Sequence, residues 1–110
     1  MNLPKKVRVG GMTYKVQPMS REMHDGRGDE PIVGLCDKCA CIIYVWLDQS
    51  SQKLWSTLWH EVRHASVEES AIDLRGFDEE DLVAHLERID WQVFRDNPTM
   101  MNNIIKVARE

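Results

Sequence analysis

Polar and apolar side chains alternate at the start of the chain. Residues 7–16 read Val-Arg-Val-Gly-Gly-Met-Thr-Tyr-Lys-Val, two alternating runs around Gly10-Gly11. Period-two alternation belongs to strands, and paired glycines accept the positive φ of a tight turn, so a hairpin is predicted here. Residues 17–31 place Pro18, Gly26, Gly28 and Pro31 among polar side chains and read as a long loop. A second strand pair is predicted over 32–47, turning at Asp37-Lys38, with Ile42-Ile43-Tyr44-Val45-Trp46-Leu47 its most β-prone run.

The period then changes. Leu54, Trp55, Leu58, Trp59, Val62 and Ala65 recur at steps of three and four, which is one apolar stripe of a helix. Asp48, Ser50 and Ser51 are candidate N-caps for it, because their side-chain oxygens can accept from free first-turn N–H groups. A connector is expected over 66–77, ending in Gly76. A second helix follows from the cap Asp78, with Glu79, Glu80 and Asp81 where the helix dipole favours negative charge. Its predicted buried face is Leu82, Val83, Leu86, Ile89, Val93 and Phe94, and Asn97-Pro98 ends it. Residues 99–110 read as a short third helix or a frayed end. The fold class is therefore α+β in one domain, 1–110: a β-rich part (1–47), a two-helix part (48–98) and a tail (99–110).

Composition narrows the partners. Hydrophobic residues at 43% and charged residues at 29% describe a globular chain. A net charge of -4, with Lys5, Lys6 and Arg8 as the one basic cluster, offers no face for nucleic acid or an anionic membrane. No apolar run approaches the ~20 residues of a membrane span, and Met1-Asn-Leu-Pro-Lys-Lys has no apolar core of a secretory signal. A cytoplasmic, non-secreted protein is expected. Cys36, Cys39 and Cys41 are odd in number and tightly clustered, which is no disulfide framework.

The helix at 50–65 carries the chemistry. His60-Glu61-Val62-Arg63-His64 places two histidines four residues apart, so both imidazoles leave one helix face about one turn apart. That separation lets two nitrogens share one tetrahedral zinc at about 2.0–2.1 Å. Glu61 projects about 100° round the helix, beside such a metal, where a carboxylate can serve as general base for peptide-bond hydrolysis. The histidines face away from Trp55, Trp59 and Val62, towards a groove.

A catalytic zinc needs a third protein ligand and one open position. The metzincin arrangement has a histidine six residues beyond the second, and Ser70 stands there, which excludes that subclass. The second helix holds the remaining donors: Glu79, Glu80, Asp81, His85 and Glu87. Glu79 lies nearest the centre of the apolar face, while Glu80 and Glu87 share its edge, and helix spacing does not choose among them. The three cysteines, with His24 as the one histidine ahead of the motif, form an incomplete set for a second, structural metal; partly buried thiols at a hairpin end are the better reading. Tyr44 and His85 are candidate oxyanion donors, although packing roles account for both. Trp46, Trp55, Trp59 and Trp91 are expected in the core and groove walls.

The order hairpin, strand pair, H-E-x-x-H helix and acidic-started helix closing in Arg95-Asp96-Asn97-Pro98 resembles the minimal metallopeptidases of bacteriophages and prophages. These are similar to the ImmA/IrrE group of gluzincin-like peptidases. The resemblance runs through Val7–Tyr14, Gly34–Asp37, Ile43–Val45, Leu58–Ala65 and Glu79–Val83. It implies a zincin-like domain and a zinc metallopeptidase acting on a peptide or protein in the host cytoplasm. It also implies a third ligand early in the second helix, three and six residues before buried aliphatics, a pattern matched by Glu80 with Val83 and Leu86; Glu79 is the alternative. The chain departs from it at Ala84, where relatives often carry an amide or carboxylate supporting a zinc histidine. The expectation is that His60, His64 and Glu80 bind zinc, that Glu61 is the base, and that substrate adds to an edge of the 42–47 strand. The alternative is a non-catalytic zinc-binding domain that acts as a structural or host-interaction protein.

Overall fold

The computed structural model describes residues 3–26, 30–71, 76 and 78–110. Strands β1 (Lys6–Val9) and β2 (Met12–Pro18) form the expected hairpin, pairing Val7 with Tyr14 and Val9 with Met12. Gly10 turns it at φ +62, a conformation that costs glycine nothing. Strands β3 (Gly34–Asp37) and β4 (Ile42–Val45) form the second antiparallel pair. Asp37 Oδ1 accepts from Ala40 N across their turn. The two hairpins join through a parallel β2–β4 pairing, so the mixed sheet has the order β1-β2-β4-β3.

This order corrects one expectation. The 42–47 segment supplies β4, which is paired on both sides, by β2 and by β3, and offers no edge to a substrate. The edges belong to β1 and β3. A hairpin pairs neighbours in sequence, but which member then joins the other hairpin is a long-range choice.

The expected loop over 17–31 is also partly ordered. β2 continues to Pro18, and Ser20 caps a five-residue helix α1 (Arg21–Asp25) by accepting from Met23 N at 3.1 Å. Residues 27–29 of that stretch lie outside the described residues. Helix α2 spans Ser51–Glu69, capped by Ser50, and so extends four residues into the expected connector. Val62, Ala65 and Ser66 keep its buried stripe running, and Ser66 Oγ donates to the Val62 carbonyl. Residues 72–75 and 77 of the connector lie outside the described residues. Helix α3 (Glu79–Asp96) starts on the Asp78 cap, and the tail forms helix α4 (Pro98–Ala108) with proline in its first turn.

Helix α2 crosses the sheet, touching β1, β3 and β4. Val7, Val9, Tyr14, Ile43 and Val45 meet Leu54, Leu58, Val62 and Ala65 in one core, closed by Ile89, Val93, Met100 and Val107. Burying such side chains contributes about 1.5–3 kcal/mol each and holds α2 against the sheet. The predicted buried face of α3 is only partly inside. Ile89 and Val93 are buried, whereas Val83 and Phe94 are exposed, as is Trp91 at 65%. α3 packs against β1, α2 and α4, which bury its Ile89–Val93 side and leave these other apolar residues at the surface. No described helix is long and apolar enough to cross a membrane.

The two sheet edges are treated differently. Along β1, Asn97 Oδ1 accepts from Arg8 N at 3.0 Å and Asn97 Nδ2 donates to Arg8 O at 2.9 Å. Gln92 Oε1 accepts from Gly10 N at 2.6 Å. Two side-chain amides thus act as a surrogate strand on that edge. Along β3, Val33 O accepts from Trp46 N at 2.8 Å, so strand alternation turns the N–H and C=O of Gly34 and Cys36 away from β4. Among the described residues no backbone or side chain pairs with them.

Candidate metal centre and its carboxylate

The helical stripe that anchors α2 also orients its functional face. Leu58, Val62 and Ala65 point into the core, which leaves His60 and His64 at the surface on one side and Glu61 wedged against β3. The His60 and His64 Nε2 atoms stand 3.1 Å apart, with the rings edge to face. Two nitrogens on one tetrahedral zinc at 2.0–2.1 Å would stand about 3.3 Å apart, so the pair fits one shared ion without changing the helix. The side chain of His60 is 69% exposed, which leaves an approach from solvent.

Glu61 occupies a different environment although it is the next residue. Its side chain is only 8% exposed, with Oε2 4.0 Å from His60 Nε2. Burial pushes its carboxyl above the usual carboxylate range, against the opposing pull of His60 and His64. The carboxylate lies on the backbone of β3. A Cβ at Gly34 would stand 2.7 Å from Glu61 Oε2 and 2.8 Å from Thr57 Cγ2, closer than real atoms pack. Only glycine lets the edge strand and the carboxylate approach this closely.

A cleft of about 420 Å³ opens here, lined by His60, Glu61, Thr57 and the backbone run Ile32-Val33-Gly34. It therefore brings together the histidine, the buried carboxylate and the start of the open β3 edge. Cys36, two residues along β3, is half-buried, and its thiol is pushed up to about 11, first by burial and then by the Glu61 charge. Among the described residues no group of three or more His, Cys, Asp or Glu converges as a metal cluster, and the cysteine trio forms none.

Helix α3 does not bring its acidic start to the histidines. Arg63 Nη1 donates to Asp90 Oδ1, and Trp59 packs near Phe94 with ring centroids 6.3 Å apart, so α2 and α3 run antiparallel. Glu80 lies ten residues before Asp90, roughly 15 Å along the helix axis. Glu79, Glu80 and Asp81 are exposed in the first turn, and Glu87 is exposed further along. His85 Nδ1 lies 2.7 Å from the Asp81 carbonyl in its own helix. Tyr44 sits half-buried on β4, paired with Leu35.

Gly34 and Thr57 are the contributors that sequence reading missed. A glycine opening a strand looks like turn punctuation until the carboxylate above it is known, and no local pattern marks it. No family model, no curated protein and no solved structure matches the chain.

Proposed function

We propose that the protein is a zinc-dependent metallopeptidase in which His60 and His64 hold the ion and Glu61 is the general base. The observation that carries this reading is the contrast between neighbours. Two exposed imidazole nitrogens 3.1 Å apart stand beside a carboxylate withdrawn from water, 4.0 Å from one of them. When bound there, zinc supplies an acidified water and a Lewis acid for the scissile carbonyl.

The chain's own groups divide the remaining work. Glu61, its proton affinity raised by burial, accepts a proton from the attacking water and returns it to the leaving amine. Gly34 and Thr57 pack the carboxylate in place. The N–H and C=O groups of Gly34 and Cys36, without partners among the described residues, can take an extended peptide as an added strand, which is a role for the β3 edge in place of the 42–47 strand. The family resemblance implies Glu80 as the third ligand, whereas the α2–α3 register stands it away from the histidines, and Glu80→Ala tests which holds. A closed structural zinc takes four protein ligands; the exposure of His60 supports an open site instead.

The test is metal content by plasma mass spectrometry, with peptide cleavage measured in parallel. Wild type should carry about one zinc per chain. His60→Ala should lose it, Glu80→Ala should weaken it, and Glu61→Gln should keep it while cleavage falls by about 10²–10⁴-fold. Wild type that neither holds nor takes up zinc would overturn the reading. Zinc retained fully by Glu80→Ala would remove Glu80 from the site.

A further inference from the structure

We propose that the hollow beside the cleft, at the N-terminal end of α2, is a specificity pocket for one bulky apolar side chain of the substrate peptide; this rests on the peptidase reading above. The hollow holds about 550 Å³ and is walled by Trp46, His24, Gln49 and Thr57. It is continuous with the cleft at His60 and Glu61, because Val33, Ser56 and Thr57 line both. A peptide laid on the open edge of β3 at Gly34 therefore passes its mouth.

The chemistry of the wall selects the side chain. His24 lies flat on Trp46, ring centroids 3.8 Å apart and planes within 1°, and Arg21 reaches over the same indole at 5.1 Å. The stack is fixed from the side, since His24 Nδ1 lies 2.6 Å from Ile32 O and Ile32 N donates to His24 O at 3.0 Å. The Gln49 amide and the Thr57 hydroxyl, polar groups of the wall, are already engaged. Gln49 Nε2 donates to Trp46 O at 2.6 Å, and Gln49 Oε1 accepts from Thr57 Oγ1 at 3.2 Å. The surface left facing the hollow is mostly apolar. Asp48 and Lys53 add one charge of each sign to the lining, and Arg21, over the indole, is paired with Asp25 at 3.9 Å, so no charge of one sign dominates the pocket.

The same backbone bonds limit the edge. The outward N–H and C=O of Ile32 are both taken by His24, so strand addition has Gly34 and Cys36 to use and ends at the pocket. A short pairing stretch makes little affinity from main-chain bonds alone, which leaves the pocket to supply a large share.

The test is NMR titration of the full chain carrying Glu61→Gln with blocked alanine-based octapeptides, in which Phe, Leu, Asp or Lys is scanned through every position. Phe and Leu at one position should bind roughly tenfold or more tighter than Ala, Asp or Lys there, and should shift the Trp46 indole N–H. Ser56→Phe, at an exposed helix position on the pocket mouth, should abolish that preference while the fold remains. Trp46→Ala should do the same. Equal affinity across the series, no binding, or shifts that bypass Trp46 would each overturn the pocket. Apolar preference in a protein whose wild type cleaves no peptide would instead overturn the peptidase reading and leave the pocket standing.

Discussion

The Glu61 carboxylate rests on the backbone of Gly34 so closely that a Cβ there would come within 2.7 Å of Oε2. The carboxylate and the edge strand are thus one packing unit, and a methyl group is enough to separate them. Gly34→Ala should cost about 1–3 kcal/mol through overpacking. It should also lower peptide turnover while the histidines keep their metal. Gly11→Ala, at a position with nothing within 4 Å, should change stability by less than about 0.5 kcal/mol. Denaturant unfolding and metal content of the two variants check this. Equal stability of both would show that Glu61 simply moves aside.

Use of the β3 edge makes a separate demand. Cys36 turns its N–H away from β4, so Cys36→Pro removes a donor from the open edge without breaking the β3–β4 ladder. Cleavage should fall at least about tenfold, the worth of roughly one lost hydrogen bond, with circular dichroism unchanged. Unchanged cleavage in a folded variant would count against strand addition.

Cys39 and Cys36 should differ in reactivity. Cys39 is exposed, and Cys36 is half-buried with its thiol pushed up to about 11 by burial and the Glu61 charge. At about pH 8 an alkylating reagent should modify Cys39 well before Cys36, because the thiolate is the reacting form. Stability carries the same sign. Below the ordinary value of 9.0 the thiol is protonated in both states and contributes no slope. Between 9.0 and about 11 the folded chain keeps a proton that the unfolded chain loses, so stability falls as pH rises. Cys36→Ala should flatten that part of the profile, and tryptic mapping after timed alkylation reads the labelling order.

Asn97 closes the opposite edge. Its amide serves Arg8 N, Arg8 O and the Val93 carbonyl at once, at 2.9–3.0 Å. Asn97→Ala should cost about 1–3 kcal/mol, since backbone groups of β1 and α3 lose their partner together. It also uncovers a strand edge, so the variant should self-associate more readily at high concentration. Unfolding curves and light scattering measure the two effects.

The local patterns of the chain determined a good deal. Period-two alternation at 7–16, the turn at Gly10-Gly11, the three-and-four stripe of α2 and the Asp78 cap all act between residues near in sequence. For the same reason the histidine pair was legible: two residues four apart on a helix meet whatever the rest of the fold does. Ser20 could have announced α1, but five residues carry too little periodicity to outweigh the prolines and glycines around them.

Tertiary structure decided what depends on contacts between distant segments. Seen alone, Glu61 is one more polar helix residue; its burial exists only because β3 brings Gly34 onto it. The 42–47 run is the most β-prone in the chain, but its place inside the sheet, with β3 left as the edge, comes from the long-range pairing of β4 with β2. Val83 and Phe94 lie about 100° round α3 from Ile89 and Val93, so packing against β1, α2 and α4 buries the second pair and leaves the first exposed. Glu80 stands far along α3 from the histidines because the Arg63–Asp90 and Trp59–Phe94 contacts set the register of two antiparallel helices. Helix periodicity specifies which residues share a face. Which face meets which partner, and at what level, is determined by packing across the whole core.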